Sequence, residues 1–242
     1  MLETLKLAIV DVETTGISVT GDRVIEIGVV RVEQGRVVRV FETLLDPEQR
    51  ISSFIERLTG IRNEDLERAP TFGDIREELE YLLHGCTFVA HNVWFDYGLV
   101  CNEFARLGRA FSAPRLCSVR LSRRLYPRFR HHGLSELIKR FSLSCPNRHR
   151  ALGDAEAVWA FLQTAFQQRG PEQFGAAVKA LMPDGMLCYE QIQDGSHDDD
   201  PDRSMATGGA SVGDRARGLV DRRAHQGGTH GHATEGLGAR GR

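Results

Sequence analysis

An unbroken apolar run at residues 7–10 (LAIV) constrains the fold of this chain more than any other segment. A half-exposed strand alternates apolar and polar residues, whereas a continuous apolar run is typical of a strand that is covered on both faces. A sheet covered on both faces needs helices on either side of it. This segment therefore favours an α/β fold.

Two β-rich segments and several helical patterns follow this run. Residues 24–32 and 37–45 are separated by Gln34-Gly35, a hairpin-type turn, which predicts a three-stranded antiparallel meander. Thr71 and Asp74 form a helix-start box, and residues 87–90 form a short strand. Apolar residues at helical spacing predict further helices around 95–107, 134–141 and 154–166. The sequence predicts a mixed sheet, the meander plus parallel strands, with flanking helices.

The composition of the chain changes near residue 195. Residues 195–242 contain 11 of the 25 glycines and 4 of the 9 histidines and have no aromatic residue, so burial cannot offset their ordering entropy. We predict a folded domain over residues 1–182, a short extension over 183–194 and a disordered Gly/His-rich tail over 195–242.

Overall composition excludes a membrane-spanning or wholly disordered protein. Hydrophobic residues make up 41% of the chain and charged residues 26%, values close to those of soluble globular proteins. No apolar run approaches the roughly 20 residues that cross a bilayer, and the amino end carries no export signal. We expect a cytoplasmic protein with no membrane partner.

A polyanion partner is indicated by local charge, although the formal net charge is only -2. Residues 115–150 contain ten basic residues and a single acid, Glu136, a bias that favours contact with a phosphate backbone. The ten are Arg115, Arg120, Arg123, Arg124, Arg128, Arg130, Lys139, Arg140, Arg148 and Arg150.

Several acidic residues occupy positions where an apolar residue or a cap is expected. Asp11 and Glu13 end the first strand on the same face, and such like charges repel unless a proton or a cation lies between them. Asp96 follows the next short strand, and Asp154 lies on the apolar face of the last predicted helix. Each position alone also fits a solvated strand exit or a helix cap. Glu26, between two isoleucines, is interpreted as structural.

Three motifs contain these acids, namely DVETTG at 11–16, HNVWFD at 91–96 and HRALGD at 149–154. In this order the sequence resembles the DEDDh exonucleases, the family of the proofreading epsilon subunits of bacterial replicative polymerases and of several RNA-trimming nucleases. The resemblance covers about residues 7–166.

The resemblance implies a ribonuclease-H-like fold and removal of nucleotides one at a time from a 3′ end. It also implies two Mg²⁺ or Mn²⁺ ions, with Asp11 bridging both. Glu13 and Asp154 would hold the ion that carries the attacking water, and Asp96 the ion nearer the leaving group. His149 would be the general base, and we expect the nearby carboxylates to raise its pKa.

Further residues near these motifs are expected to contact the substrate. In the family, the turn after the first acids packs on the terminal nucleotide, where small residues let the backbone approach. The predicted contact residues are Thr14, Thr15, Gly16, Asn92, Arg148 and Arg150.

Three functions are compatible with the sequence. The leading interpretation is a 3′→5′ exonuclease acting on single-stranded DNA ends in proofreading or repair, with a DNA polymerase subunit as a candidate partner. An exoribonuclease that trims RNA ends is the alternative, since no residue is recognised as reading a 2′-hydroxyl. An inactive adaptor that binds nucleic acid or a polymerase is the third, although such a module has no reason to retain four mutually repelling carboxylates.

Overall fold

A computed structural model describes residues 5–182 of the chain. The extension predicted over 183–194 and the tail predicted over 195–242 lie outside the described residues. The elements, in chain order, are β1 (Leu7–Thr14), β2 (Val24–Glu33), β3 (Arg36–Leu44), α1 (Ser53–Thr59), α2 (Asn63–Leu66), α3 (Phe72–Leu83), β4 (Thr87–Ala90), α4 (Val93–Arg106), β5 (Arg115–Cys117), α5 (Ser118–Leu125), α6 (Leu134–Phe141) and α7 (Ala151–Leu181).

The five strands form one mixed sheet in the order β3-β2-β1-β4-β5. Strands β1, β2 and β3 pair antiparallel, whereas β4 pairs parallel with β1 and β5 pairs parallel with β4. The predicted meander is confirmed. Gln34 and Gly35, between β2 and β3, have φ values of 52° and 72°, which are typical of a two-residue turn that follows the twist of its strands.

Strand β1 lies at the centre of the sheet and is buried on both faces, which explains its continuous apolar run. Ala8, Val10 and Val12 pack against α3 and α4 on one face. Leu7 and Ile9 pack against α5, α6 and α7 on the other. The predicted α/β class, with helices on both sides of a mixed sheet, is confirmed.

Helix α3 begins where the sequence predicts. The Thr71 hydroxyl accepts a hydrogen bond from the Asp74 backbone N–H at 3.3 Å, and the Asp74 carboxylate accepts one from the Thr71 N–H at 2.8 Å. This reciprocal pair satisfies two backbone donors that a helix start otherwise leaves unpaired.

The last helix begins three residues earlier than the sequence predicts. It runs from Ala151 and is interrupted at Gly170, which has a φ of 74° and precedes Pro171. Because the cap position is Arg150, Asp154 lies inside the first turn and is not the helix cap. No helix within residues 5–182 is both long and apolar enough to cross a membrane.

Candidate active site

The carboxyl end of β1 carries the first two acids. Asp11 and Glu13 continue the face of Leu7 and Ile9, the face on which α7 packs, because alternate side chains of a strand point the same way. Both residues are only partly exposed at this end of the sheet, and the surrounding protein largely desolvates their carboxylates. The strand therefore directs two carboxylates toward the amino end of α7.

The third acid, Asp96, comes from the neighbouring strand-to-helix junction. Strand β4 is parallel to β1, so its carboxyl end lies at the same edge of the sheet. Asn92 adopts a left-handed conformation with a φ of 67°, which ends β4 and starts α4 within three residues. This turn places the buried Asp96 beside β1, where its Oδ1 accepts a hydrogen bond from the Val12 N–H at 3.2 Å.

The fourth acid, Asp154, is positioned by a buried contact between β2 and α7. Glu26 is wholly buried, and its carboxylate accepts hydrogen bonds from the Ala151 N–H at 2.9 Å and from Arg150 Nε at 2.8 Å. These bonds satisfy a free N–H at the start of α7 and neutralise the carboxylate. Glu26 therefore has the structural role expected for it and fixes the turn of α7 that contains Asp154.

Gly28 allows this close approach of β2 and α7. A Cβ atom at this position would lie 2.3 Å from the Leu152 backbone nitrogen and 2.5 Å from the Ala151 carbonyl carbon. Real side chains do not approach backbone this closely, so glycine is required here on steric grounds.

A Gly28→Ala substitution is expected to displace the start of α7 and with it Asp154. We expect unfolding free energy to fall by about 1–3 kcal/mol, since overpacking has this effect, with a lower melting temperature and a large loss of any nuclease turnover. Thermal unfolding measures the loss of stability, and a nuclease assay measures the loss of turnover. Gly73→Ala in α3 is the control, because its Cβ would meet its nearest atoms at an ordinary 3.5 Å. Equal effects of the two substitutions would contradict the role of Gly28.

His149 completes the cluster. It lies in the segment before α7 in a left-handed conformation with a φ of 60°, a geometry that is uncommon for a non-glycine residue. One ligand atom each from Glu13, His149 and Asp154 lie within 4.8 Å of one another. The structure thus brings together the histidine and acids that the sequence places on distant segments.

The carboxylates at this site repel one another. Burial raises the pKa of Asp11 well above its usual value, and the charges of Asp96, Asp154 and Glu13 raise it further. Burial, followed by the charges of Asp154 and Glu26, raises the pKa of Glu13 from 4.5 to about 8. Burial also raises the pKa of Asp96. A cluster of oxygen donors with these properties fits hard divalent cations, which would relieve the repulsion.

Arg148 supplies a positive charge at the cluster. Its guanidinium forms an ion pair with Asp154 and donates a hydrogen bond to the Ser135 hydroxyl of α6 at 3.3 Å. This charge lowers the pKa values of Asp11 and Glu13, in opposition to their burial. A divalent cation bound to Asp154 would therefore compete with Arg148.

The pKa of His149 is lowered, so the expectation that nearby carboxylates raise it is wrong. Although the side chain is exposed, partial desolvation is the largest cause and the Arg148 charge the second, and together they outweigh the Asp154 charge. Sequence reasoning counted the acids but not the arginine that pairs with one of them. The lowered pKa keeps His149 neutral at pH 7, the form that accepts a proton.

The turn after β1 is held by its own side chains. The Thr14 hydroxyl donates to the Gly16 carbonyl, and the Thr15 hydroxyl donates to Asp22 Oδ1 at 2.7 Å. A Cβ on Gly16 would lie 2.6 Å from Asp22 Oδ2. Because both hydroxyls donate internally, a nucleotide at this turn would meet mainly backbone atoms.

Most cations of the basic segment 115–150 have solvent exposure, and one of them is buried. Arg115 is buried in β5, and its guanidinium carbon lies 4.8 Å from the Trp94 ring centroid and 4.6 Å from that of Tyr97. The prediction that Arg115 belongs to the basic surface is therefore wrong. The exposed cations of the segment are Arg120, Arg124, Arg128, Arg130 and Lys139.

The pKa of Glu13 predicts how the stability of the metal-free protein depends on pH. Its folded value of about 8 lies above the usual 4.5, so its stabilising contribution is complete below pH 4.5 and is lost as pH rises through 8. We expect the melting temperature in EDTA to fall by ~5 °C between pH 5.5 and 8.5, and Mg²⁺ to reverse much of this fall. Glu13→Gln should flatten the dependence, and an unchanged slope in that variant would contradict this origin.

The fold and the site define a class of protein. A mixed sheet with this strand order, carrying four convergent carboxylates and a histidine at the carboxyl end of its central strand, is the ribonuclease-H-like arrangement of nucleases. The RNase_T model, described as an exonuclease, matches residues 8–162. The chain therefore belongs to this exonuclease family, in its DEDDh branch.

Two bacterial proteins are among its relatives. The 3′-5′ exonuclease DinG of Bacillus subtilis is 40% identical over 155 residues, which are 62% of this chain and 16% of DinG. A PolC-type DNA polymerase III of Lacticaseibacillus paracasei is 33% identical over 209 residues, which are 80% of this chain and 14% of the polymerase. The chain thus spans only a small part of these relatives.

Solved structures share the fold. Exonuclease X in complex with 5′ overhanging duplex DNA aligns with a TM-score of 0.57 and 24% identity, over 71% of this chain and 99% of that one. The nuclease domain of 3′hExo, a DEDDh family member bound to rAMP, aligns with a TM-score of 0.58 and 17% identity, over 69% of this chain and 94% of that one.

Proposed function

We propose that this chain is a divalent-metal-dependent 3′→5′ exonuclease that shortens single-stranded DNA. The observation that carries the proposal is the convergence of four carboxylates from β1, α4 and α7 beside His149. Repelling carboxylates held together at one edge of a sheet are suited to binding cations, which would relieve their repulsion.

The proposed cation ligands are Asp11, Glu13, Asp96 and Asp154. Two Mg²⁺ or Mn²⁺ ions bound there would supply a nucleophile at neutral pH and stabilise charge on the phosphate. A neutral ring nitrogen of His149 would accept the proton of the attacking water. The lowered pKa of His149 favours this neutral form at pH 7.

Substrate contacts are proposed at the turn of Thr14, Thr15 and Gly16, and at Asn92, Arg148 and Arg150. The turn presents backbone atoms beside the acids. Arg150 is half-exposed and uses only part of its guanidinium on Glu26, so other N–H donors are available for a phosphate. Arg148, once a cation occupies Asp154, is free to contact the scissile phosphate or its neighbour.

DNA is the proposed substrate and a polymerase the proposed partner, because the match to the PolC-type polymerase spans 80% of this chain. Proofreading or repair is the role consistent with such a partner. RNA is the second candidate, since the 3′hExo neighbour was solved with rAMP. An adaptor without activity is the third and conflicts with the retained acid set.

Digestion of matched substrates tests the proposal. Single-stranded DNA and RNA of one sequence, labelled at the 5′ end, are incubated with the full chain and Mg²⁺ or Mn²⁺, with EDTA as the control. We expect a ladder that shortens from the 3′ end, forms faster on DNA and is abolished by EDTA. Faster cutting of RNA would favour the exoribonuclease, and intact substrates with both metals would favour the adaptor.

A further inference from the structure

An exposed aromatic ring, Phe129, lies in the loop between α5 and α6. The residue is 47% exposed, and the Arg140 guanidinium carbon lies 4.0 Å from its ring centroid. One face of the ring is therefore covered by a planar cation, while much of the ring is accessible to solvent. An exposed phenyl ring supported in this way is not explained by the packing of the core.

The loop that carries Phe129 is held in one conformation by a buried histidine. His132 Nε2 lies 3.0 Å from the Phe129 carbonyl oxygen, and its Nδ1 lies 2.7 Å from the Ser122 hydroxyl of α5. Because a carbonyl can only accept, His132 Nε2 carries a proton and donates a hydrogen bond to it. Arg140 also donates to the His131 carbonyl at 2.6 Å. The ring is thus positioned in advance, which lowers the entropic cost of binding a ligand.

The charges around the ring select the kind of ligand. Arg128 and Arg130 flank Phe129 and are exposed, and Glu136 is the single acid between residues 115 and 150. A protein partner with an apolar surface would have to desolvate these guanidinium groups, whereas a nucleic acid offers phosphates to them. Stacking of a base on an aromatic ring beside such cations is typical of single-strand binding sites.

The loop is linked to the acidic site through α6. It enters α6, whose first turn contains Ser135, and the Ser135 hydroxyl accepts a hydrogen bond from Arg148 at 3.3 Å. Arg148 in turn pairs with Asp154. A strand whose 3′ end lies among the acids would therefore follow α6 from Ser135, beside Arg148, to Arg140, on which Phe129 packs.

We propose that Phe129, supported by Arg140, is a stacking site for an unpaired base upstream of the 3′ terminus. Arg128 and Arg130 contact the adjoining phosphates. The proposal deepens the proposed exonuclease function and rests on it for the direction of the strand. It predicts that substrates too short to reach the loop gain nothing from the ring.

The test compares a long substrate with a minimal one. In Phe129→Leu, we expect the KM for a long single-stranded DNA to rise about tenfold with kcat unchanged, because one stacked base is lost. Hydrolysis of a chromogenic phosphodiester of thymidine monophosphate should be unaffected, since this ester has no upstream base. Phe129→Trp should keep the low KM, and its added fluorescence should be quenched by the oligonucleotide. The same KM comparison of the wild type and Phe129→Leu is made on a single-stranded RNA of the same sequence.

Phe54→Leu in α1 is the matched control. Phe54 is 49% exposed, close to the value for Phe129, and no cation–π contact involves it among the described residues. An unchanged KM in Phe129→Leu, or an equal loss in Phe54→Leu or on the ester, would overturn the stacking site. If the wild type cleaves neither substrate, the exonuclease proposal fails. In that case the fluorescence of Phe129→Trp still tests the stacking site, because absence of quenching by the oligonucleotide would refute stacking at this position.

Discussion

Replacing Asp11 with asparagine is expected to abolish most activity while stabilising the metal-free protein. Burial raises the pKa of Asp11 and three neighbouring carboxylates raise it further, so removal of its charge relieves both the desolvation and the repulsion. The same change removes one of the four residues that would hold the cations. We expect turnover to fall by ~10³-fold or more, Mg²⁺ affinity to fall with it, and the melting temperature in EDTA to rise. Nuclease assays, titration calorimetry and thermal unfolding measure the three quantities.

Glu77→Gln is the control for Asp11→Asn. Glu77 is an exposed acid on α3, so the same chemical change there should leave all three quantities close to the wild type. Wild-type Mg²⁺ affinity in Asp11→Asn would require the cation site to be placed elsewhere. A lower melting temperature in EDTA would show that the Asp11 carboxylate stabilises the fold, contrary to the repulsion argument.

The parts of the fold that the sequence predicts are those specified by local contacts. The β2–β3 turn is set by Gln34-Gly35, and the start of α3 is set by Thr71 and Asp74, all within a few residues. Strand β5 and helix α5 are not predicted. Strand β5 has three residues and exists through its parallel pairing with β4, and α5 buries few apolar side chains among its arginines.

Part of the site can likewise be read from the sequence. The acids and His149 are identified by their motifs, and the structure brings them to one place. The means of bringing them together is a contact across 125 residues, from Glu26 to the start of α7, which no local pattern specifies. A signal was present, however. Glu26 and Gly28 lie on the same face of one strand, and an acid and a glycine there interrupt an otherwise apolar surface.

The protonation of His149 shows a second limit of sequence reasoning. Counting the acids around it gives the wrong direction for its pKa, because partial desolvation disfavours the imidazolium and the positive charge of Arg148 lies beside it. Both effects depend on the three-dimensional arrangement of the segment before α7. The neutral imidazole that results is nevertheless the form that the proposed mechanism needs.

His149→Ala is expected to lower turnover by roughly 10² to 10⁴ while leaving nucleic-acid binding close to the wild type. The loss follows from removal of the group that accepts the proton of the attacking water. We also expect Mg²⁺ affinity to change little, since the four carboxylates are retained. Added imidazole should restore part of the turnover if a base is what the variant lacks. Steady-state kinetics with and without imidazole, together with titration calorimetry, measure these effects.

His84→Ala is the matched control, because His84 is exposed at the end of α3 and takes no part in the cluster. Its turnover should equal that of the wild type. The proximity of His149 to Glu13 and Asp154 also permits a direct role as a cation ligand, and the two roles give opposite results. If His149 is a base, His149→Ala keeps its Mg²⁺ affinity, and imidazole restores its turnover at low metal concentration. If His149 is a ligand, the variant loses Mg²⁺ affinity, and excess metal restores its turnover. The second outcome would remove His149 from proton transfer.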